Sequence, residues 1–346
     1  MWKREGLVMV GSVGLMALVV TVLALAGLRR WAVRRGWVYR PQPDRWQPKG
    51  NPHSPTIALG GGIGIALGIF TALIVWALGC GEEMGSTWLR ALPLALGAAL
   101  LGLWDDLRNC SVQTKLLVQT MLGLGTALWV VRPPSFPSFF SVPLMAFWVV
   151  AMMNAVNMAD NMDGVASGLV ILSAVGYALL GAVTHNLSLI GASVALATTS
   201  IGFWLFNRPP ALIFMGDMGS LLLGYLLAVL GGVATLGIYP YPLASLLAPA
   251  LMMGCFGADM GFVVLWRATH GLPIMKGDCN HLSHRLAVWF GKSEWHANLT
   301  LYGLQALFCA GGLLAAVAPP FVGLIVIVAA TLLLSLLFRW LWKVIP

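Results

Sequence analysis

The sequence predicts an all-α, polytopic membrane protein of about eleven transmembrane helices, and three observations carry that expectation. Long apolar runs recur along all 346 residues. Only 9% of the residues are charged and 59% are hydrophobic, with a mean hydropathy of +0.86, whereas a soluble domain carries about 25% charged residues. No stretch alternates with period two as a membrane barrel would, and an open sheet cannot satisfy its backbone in lipid.

Taken in order, the first apolar run, 6–28, is too long for a signal-peptide core and lacks a small-residue cleavage site, so it reads as a retained span. A second span, 57–79, opens on the glycine run at 60–65, which lacks the G-K-[ST] ending of a phosphate loop and reads as close helix packing. A third, 88–104, runs directly into Asp105 and Asp106, and a fourth, 116–131, follows Lys115. The fifth, 139–153, leads into the polar segment NAVNMADNMDG, after which 165–183 and 188–206 follow. The eighth, 219–237, comes just after Asp217, and the ninth, 243–266, contains Asp259. The last two lie near 299–318 and 320–338, all close to the length that a bilayer core requires. The longest polar stretches, 29–56 and 267–298, are too short for a separate soluble domain, so 1–346 reads as one integral-membrane domain.

Lysine and arginine orient these spans. Counting alternate loops, those near 29–56, 105–115, 154–164, 207–218 and 267–298 share one face with the segment after the last span. Of the 20 basic residues, only Lys3, Arg4, Arg90 and Arg132 fall on the other face. The N-terminus is therefore expected outside, and the C-terminus and the basic loops in the cytoplasm. The net charge of +8 reflects this sidedness and attraction to anionic lipid, with no nucleic-acid binding implied. Five scattered cysteines without a C-x-x-C pair argue against a thiolate metal site or a disulfide framework.

The acids are more informative. Asp44, Asp105, Asp106, Asp160, Asp163, Asp217, Asp278 and Glu294 all fall on the cytoplasmic face, several at span ends, which predicts a shallow polar site at the membrane surface. Adjacent carboxylates such as Asp105 and Asp106 repel unless a cation joins them. Hard oxygen ligands without a nearby histidine favour Mg²⁺ over zinc; the alternative is a pair of solvated interfacial acids. Lys115 is either an interfacial anchor or a point charge for phosphate. In F-M-G-D-M-G-S (214–220), glycines permit a tight turn at Asp217, and a helix starting near Ser220 would offer free N–H groups to an anion; a capped glycine turn is the plainer reading. In D-C-N-H-L-S-H-R-L (278–286), His281 and His284 share a face if the segment is helical, with Arg285 beside them. No third strong ligand is spaced for zinc, which leaves phosphate contact, proton transfer or a solvated amphipathic loop. Asp259, at membrane depth, is either functional or paired with a neighbouring helix.

Together these segments resemble the polyprenyl-phosphate N-acetylhexosamine-1-phosphate transferases, of glycosyltransferase family 4 type. The matching pieces occur in family order: H-S-P-T-I-A-L-G-G-G (53–62), G-L-W-D-D-L with T-K-L-L-V-Q (102–119), N-A-V-N-M-A-D-N-M-D-G (154–164), F-M-G-D-M-G-S and D-C-N-H-L-S-H-R-L. The last looks closer to the GlcNAc-1-phosphate branch than to the phospho-MurNAc-pentapeptide branch. Two positions depart from the family pattern: Asn161 stands where it has glycine, and Ser283 where it has histidine.

The resemblance implies transfer of a sugar-1-phosphate, most simply GlcNAc-1-phosphate, from a UDP-sugar to undecaprenyl (polyprenyl) phosphate. UMP is released and a lipid-linked precursor of cell-envelope glycan is formed. It implies Mg²⁺, with Mn²⁺ as a substitute, held by Asp217 with Asp105 and Asp106. Lys115, His281 and His284 join these acids as catalytic candidates. Asn154, Asn157, Asp160, Asp163, Arg285 and His53 are the substrate-binding candidates. A homodimer is compatible with the family. The competing expectations are a phospho-MurNAc-pentapeptide transferase, a transporter with sites near the bilayer midplane, and an inactive scaffold; the D-G-x-x-A-R signature of CDP-alcohol phosphotransferases is absent.

Overall fold

The computed structural model describes residues 4–39, 56–132, 137–238, 242–274 and 277–344. Among these, the helices in order are α1 (Arg4–Arg35), α2 (Gly61–Gly79), α3 (Glu82–Arg108), α4 (Val112–Gly125), α5 (Ser138–Ala159), α6 (Val165–Val183) and α7 (Leu187–Asn207). They continue as α8 (Gly216–Ile238), α9 (Pro242–Met252), α10 (Gly254–Thr269), α11 (Leu282–Trp289), α12 (Glu294–Val317) and α13 (Pro320–Leu341). The only β-type pairing among the described residues is two isolated bridges, Val38 with Ala58 and Ala58 with Ile213. His53 lies outside the described residues, as do Asp44 and the basic residues Arg40, Arg45, Lys49 and Lys276.

Each expected span coincides with helix. Nine helices among the described residues are long and apolar enough to cross a membrane, or ten if the bent pair α9–α10 is one span. α4 has only 14 residues before the backbone widens into a π-helical turn, Thr126–Val130. The expected ninth span is broken: α9 and α10 meet at an angle of 79°. Pro249 lies inside α9 and removes one backbone donor near the break. Gln305 of α12 bridges the gap, with Oε1 accepting the Cys255 N–H at 3.0 Å and Nε2 donating to the Met252 carbonyl at 2.8 Å.

α8 is the centre of the bundle. Of its most apolar 18-residue window 89% is buried, against 6% for α13, so α8 is wrapped by protein while α13 faces outward. α3, α5, α2, α9, α6 and α7 all pack on α8. Its first turn is approached closely by two glycines. A Cβ on Gly102 of α3 would collide with the Asp217 carbonyl and stand 2.5 Å from Met218 Cα; one on Gly62 of α2 would stand 2.6 Å from the Gly219 nitrogen. Gly61 and Gly62 also donate to the Phe214 and Met215 carbonyls, both at 2.9 Å. The glycine run therefore clamps α2 onto the entry to α8, the packing role expected of it.

Replacing Gly102 with alanine forces the first turn of α8 away from α3. We expect a destabilisation of about 1–3 kcal/mol, the usual cost of overpacking, read as a lower Tm in detergent. Gly303→Ala in α12, where a Cβ meets nothing within 4 Å, is expected to leave Tm unchanged or slightly raised.

Candidate active site

The C-terminal ends of α3 and α5 and the N-terminal ends of α4 and α8 lie together, and their polar residues make one cluster. Asp105 and Asp217, from α3 and α8, both contact the Lys115 ammonium at the start of α4, Asp217 through Oδ2 at 2.8 Å. The second oxygen of Asp105 accepts the Cys110 N–H at 2.7 Å. Oδ1 of Asp217 accepts from Asn157 Nδ2 at 3.0 Å, and the same amide donates to Ser220 Oγ at 2.9 Å. Lys115 thus holds two carboxylates that would otherwise repel, and Asn157 fixes the rotation of one of them.

Asp106 does something different from its neighbour. Its two oxygens accept the backbone N–H groups of Asp217 (2.8 Å) and Met218 (3.0 Å). α8 begins at Gly216, whose φ is +73°, earlier than the start near Ser220 expected from sequence. Its first N–H groups, read as an anion site, are taken by the chain's own carboxylate. Asp106, expected among the metal ligands, thus caps α8, each of its oxygens accepting one N–H at the positive end of that helix.

The loop between α5 and α6 runs from this cluster to a second one. Burial, with the Asp217, Asp106 and Asp163 carboxylates nearby, pushes the Asp160 carboxyl up to about 7. Asp163 Oδ2 accepts the Ala211 N–H at 2.7 Å, and its carbonyl accepts from Asn298 at 2.8 Å. Asn161 Oδ1 accepts from Ser283 Oγ at 2.5 Å, and the Asn161 carbonyl lies 3.2 Å from His284 Nε2. The two departures from the family pattern are therefore in direct contact. Asn154 turns away from this loop and donates to Gln119 of α4 at 2.8 Å.

The histidine segment is helical, as one reading required, with His281 as the residue before α11 and His284 in its first turn. Their rings stand edge to face, 5.7 Å apart. Asp259 receives the His281 Nδ1 at 2.7 Å and the Leu282 N–H at 2.7 Å, so it pairs with a neighbouring element and caps α11. Burial, with His281 alongside, pushes His284 down to about 4, leaving it neutral near pH 7. Arg285 is a correction. Its side chain is fully buried, donates to the carbonyls of Leu341 (2.9 Å) and Val344 (2.5 Å) and to Asn280 Oδ1 (2.7 Å), and stacks on Trp266 at 4.0 Å. Buried among these partners, it packs inside the fold and presents no surface contact.

Four partners were not foreseen. Gln119, Ser220, Asn207 and Asn298 each bond a site residue or the turn at Gly164, with Asn207 Oδ1 accepting the Gly164 N–H at 3.1 Å. Gln119 and Ser220 stand at the ends of quoted motifs, T-K-L-L-V-Q and F-M-G-D-M-G-S, where a signal existed. Asn207 and Asn298 carry no local signal.

Among the described residues no three His, Cys, Asp or Glu side chains converge as a ready metal cage. What the fold and this cluster define is a membrane-embedded phosphotransferase, with carboxylates and an ammonium gathered at helix ends. The comparisons agree: residues 88–234, from α3 through most of α8, match the model of glycosyl transferase family 4. It is 29% identical to a probable undecaprenyl-phosphate N-acetylglucosaminyl 1-phosphate transferase of Bacillus subtilis, over 84% of this chain and 80% of that one. It is 28% identical to a phospho-N-acetylmuramoyl-pentapeptide-transferase of Levilactobacillus brevis, over 85% of this chain and 94% of the relative. The corresponding Lactobacillus acidophilus enzyme is 27% identical over 85% and 93%.

The raised Asp160 sets a pH dependence of stability. The folded protein keeps this proton up to about pH 7, whereas an unfolded aspartate releases it near 3.8. Between those values the folded state binds more protons, so stability falls as pH rises and the penalty is complete above pH 7. Asp160→Asn removes it. In EDTA, thermal unfolding is expected to show a higher Tm for the variant at pH 8 and little difference at pH 3.5.

Proposed function

We propose that the protein transfers a HexNAc-1-phosphate, most simply GlcNAc-1-phosphate, from a UDP-sugar to undecaprenyl phosphate, releasing UMP at the cytoplasmic face of the plasma membrane. The observation that carries this reading is the meeting of Asp105 and Asp217 on one ammonium at helix ends that share a face. A lipid phosphate and a water-soluble nucleotide can meet only at such an interface. The excess of Lys and Arg on that face supports its being cytoplasmic.

The donor set fits Mg²⁺. Two carboxylates from separate helices already converge on a cation, and Mg²⁺ is commonly held by one or two carboxylates, with water and substrate phosphate completing its shell. Asp217 and Asp105 would hold it, and when bound it supplies charge neutralisation on the diphosphate and on the departing UMP. Asn157 keeps Asp217 turned toward that place. Lys115, beside the two acids, would supply a point charge to draw a phosphate into line. Asp106 maintains the height of α8, and with it Asp217, through its backbone bonds. Asp160 is the group of the polar loop left to meet the nucleoside, because the Asp163 side chain is engaged by Ala211 and the Asn157 amide by Asp217 and Ser220. His281, oriented by Asp259, is the candidate for proton transfer or phosphate contact. A phosphate monoester is already largely ionised at neutral pH, with a second pKa of about 6, so orientation contributes more than deprotonation of the acceptor.

The near-equal similarity to phospho-N-acetylmuramoyl-pentapeptide-transferases supports a second donor, UDP-MurNAc-pentapeptide. Purified protein given undecaprenyl phosphate, Mg²⁺ and a panel of UDP-HexNAc donors plus this one is expected to release UMP only with the carrier present. Asp217→Asn should lower turnover by about 100-fold or more, as removal of a group that stabilises developing charge does. Release that ignores the carrier, or full turnover in the Asp217 variant, would overturn the reading; release from the pentapeptide donor alone would select the second one.

A further inference from the structure

We infer that Asn161 is a positioning residue, and that with Ser283 and His284 it forms a latch setting the separation between the polar loop after α5 and the histidine-bearing helix α11. What the latch positions rests on the transferase reading; the latch itself rests on geometry. Asn161 Nδ2 donates to the Met158 carbonyl at 2.7 Å, which fixes the amide so that its oxygen points toward α11. Ser283 donates to that oxygen at 2.5 Å, and His284 Nε2 faces the Asn161 main-chain carbonyl at 3.2 Å. A carbonyl only accepts, so Nε2 carries the proton. Two consecutive residues of α11 therefore close on one residue of the loop.

The surroundings make this joint specific. Ser283 and His284 are 1% and 2% exposed, so the α11 side of both bonds is shielded from bulk water. A cavity of about 10 Å³, bounded by Asn161, Ser283, Asp259, Val165 and Cys255, lies against the latch. That is about the space of one water, so the loop has little room to collapse onto α11 if a bond is lost. An aspartate at 161 could accept the same bond but would add a charge beside Asp160 and Asp163; the amide accepts without it. Four residues before Asn161 is Asn157, bonded to Asp217, and two residues before Ser283 is His281, bonded to Asp259. The latch thus lies between the carboxylate–lysine cluster and the histidine, and a shift at it changes their separation.

The test compares Ser283→Ala, Ser283→Thr, Asn161→Ala and the Ser283→Ala/Asn161→Ala double variant with the parent, by UMP release and by amide hydrogen exchange. Each alanine variant is expected to lose about 3- to 10-fold in kcat, the effect of one neutral hydrogen bond, with the donor KM nearly unchanged. The double variant should be no slower than the slower single one, because both remove the same contact. Ser283→Thr should restore kcat, and segments 158–164 and 279–286 should both exchange faster in Ser283→Ala. Additive losses, a change in KM alone, or unchanged exchange would each overturn the latch. If Ser283→Ala does not fold, Asn161→Ala gives the same readings from the other side. Parent protein that releases no UMP, with exchange still accelerated in both segments, would sink the transferase reading and leave the latch standing.

Discussion

Two carboxylates on separate helices, Asp105 and Asp217, share the ammonium of a third, Lys115, and the arrangement of the site follows from that contact. Like charges brought this close in a half-buried setting repel by several kcal/mol unless a cation stands between them. The bundle therefore has to deliver three helix ends to one point and keep them there. Gly102 does so by allowing α3 to touch the backbone of α8, and Asp106 does so by capping α8 from α3. A backbone clamp and a cap from consecutive turns of one helix fix the second helix in height and in rotation.

Adjacent acids consequently divide the labour. Asp105 looks toward the cation and Asp106 toward a helix terminus, although the sequence presents them as equals. The same division recurs at the histidines. Asp259 satisfies the first N–H of α11 and orients His281, while Arg285, in the same short helix, has its guanidinium buried among carbonyls and aromatic rings. In each case a backbone-capping carboxylate stands next to a group available for chemistry, so structural and chemical roles are interleaved along the chain.

The series of apolar helices was legible because long apolar runs are what a bilayer core requires. Its irregularities were not. Pro249 and Gly254 lie within an unbroken apolar stretch, and the bend between α9 and α10 becomes tenable only because Gln305, fifty residues on, satisfies both sides. The members of the carboxylate cluster were legible as acids at span ends sharing a face, and Lys115 as a cation nearby. Their individual partners were not, since whether Asp106 meets a metal or an N–H depends on where α8 begins. Arg285 misled because an arginine beside histidines suggests a wet surface, whereas Trp266 and Phe262 pack around it. Asn161 and Ser283 were each legible as departures, but nothing local says that they touch.

The outward-facing α13 has one further consequence. It meets the body through α12, α9, α11 and, at Phe262–Phe338, α10, and a polar hold on it is at one end, where Arg285 grips the carbonyls of Leu341 and Val344. Mechanically it is a cantilever, pinned beside the histidine helix and otherwise held by apolar packing that lipid can replace. Bilayers differ in thickness by a few ångström, and a helix accommodates this by tilting at modest cost. Here the tilt can pivot about the pinned end, so changes in the lipid are taken up at the far tip while the buried guanidinium and the histidines beside it stay where they are.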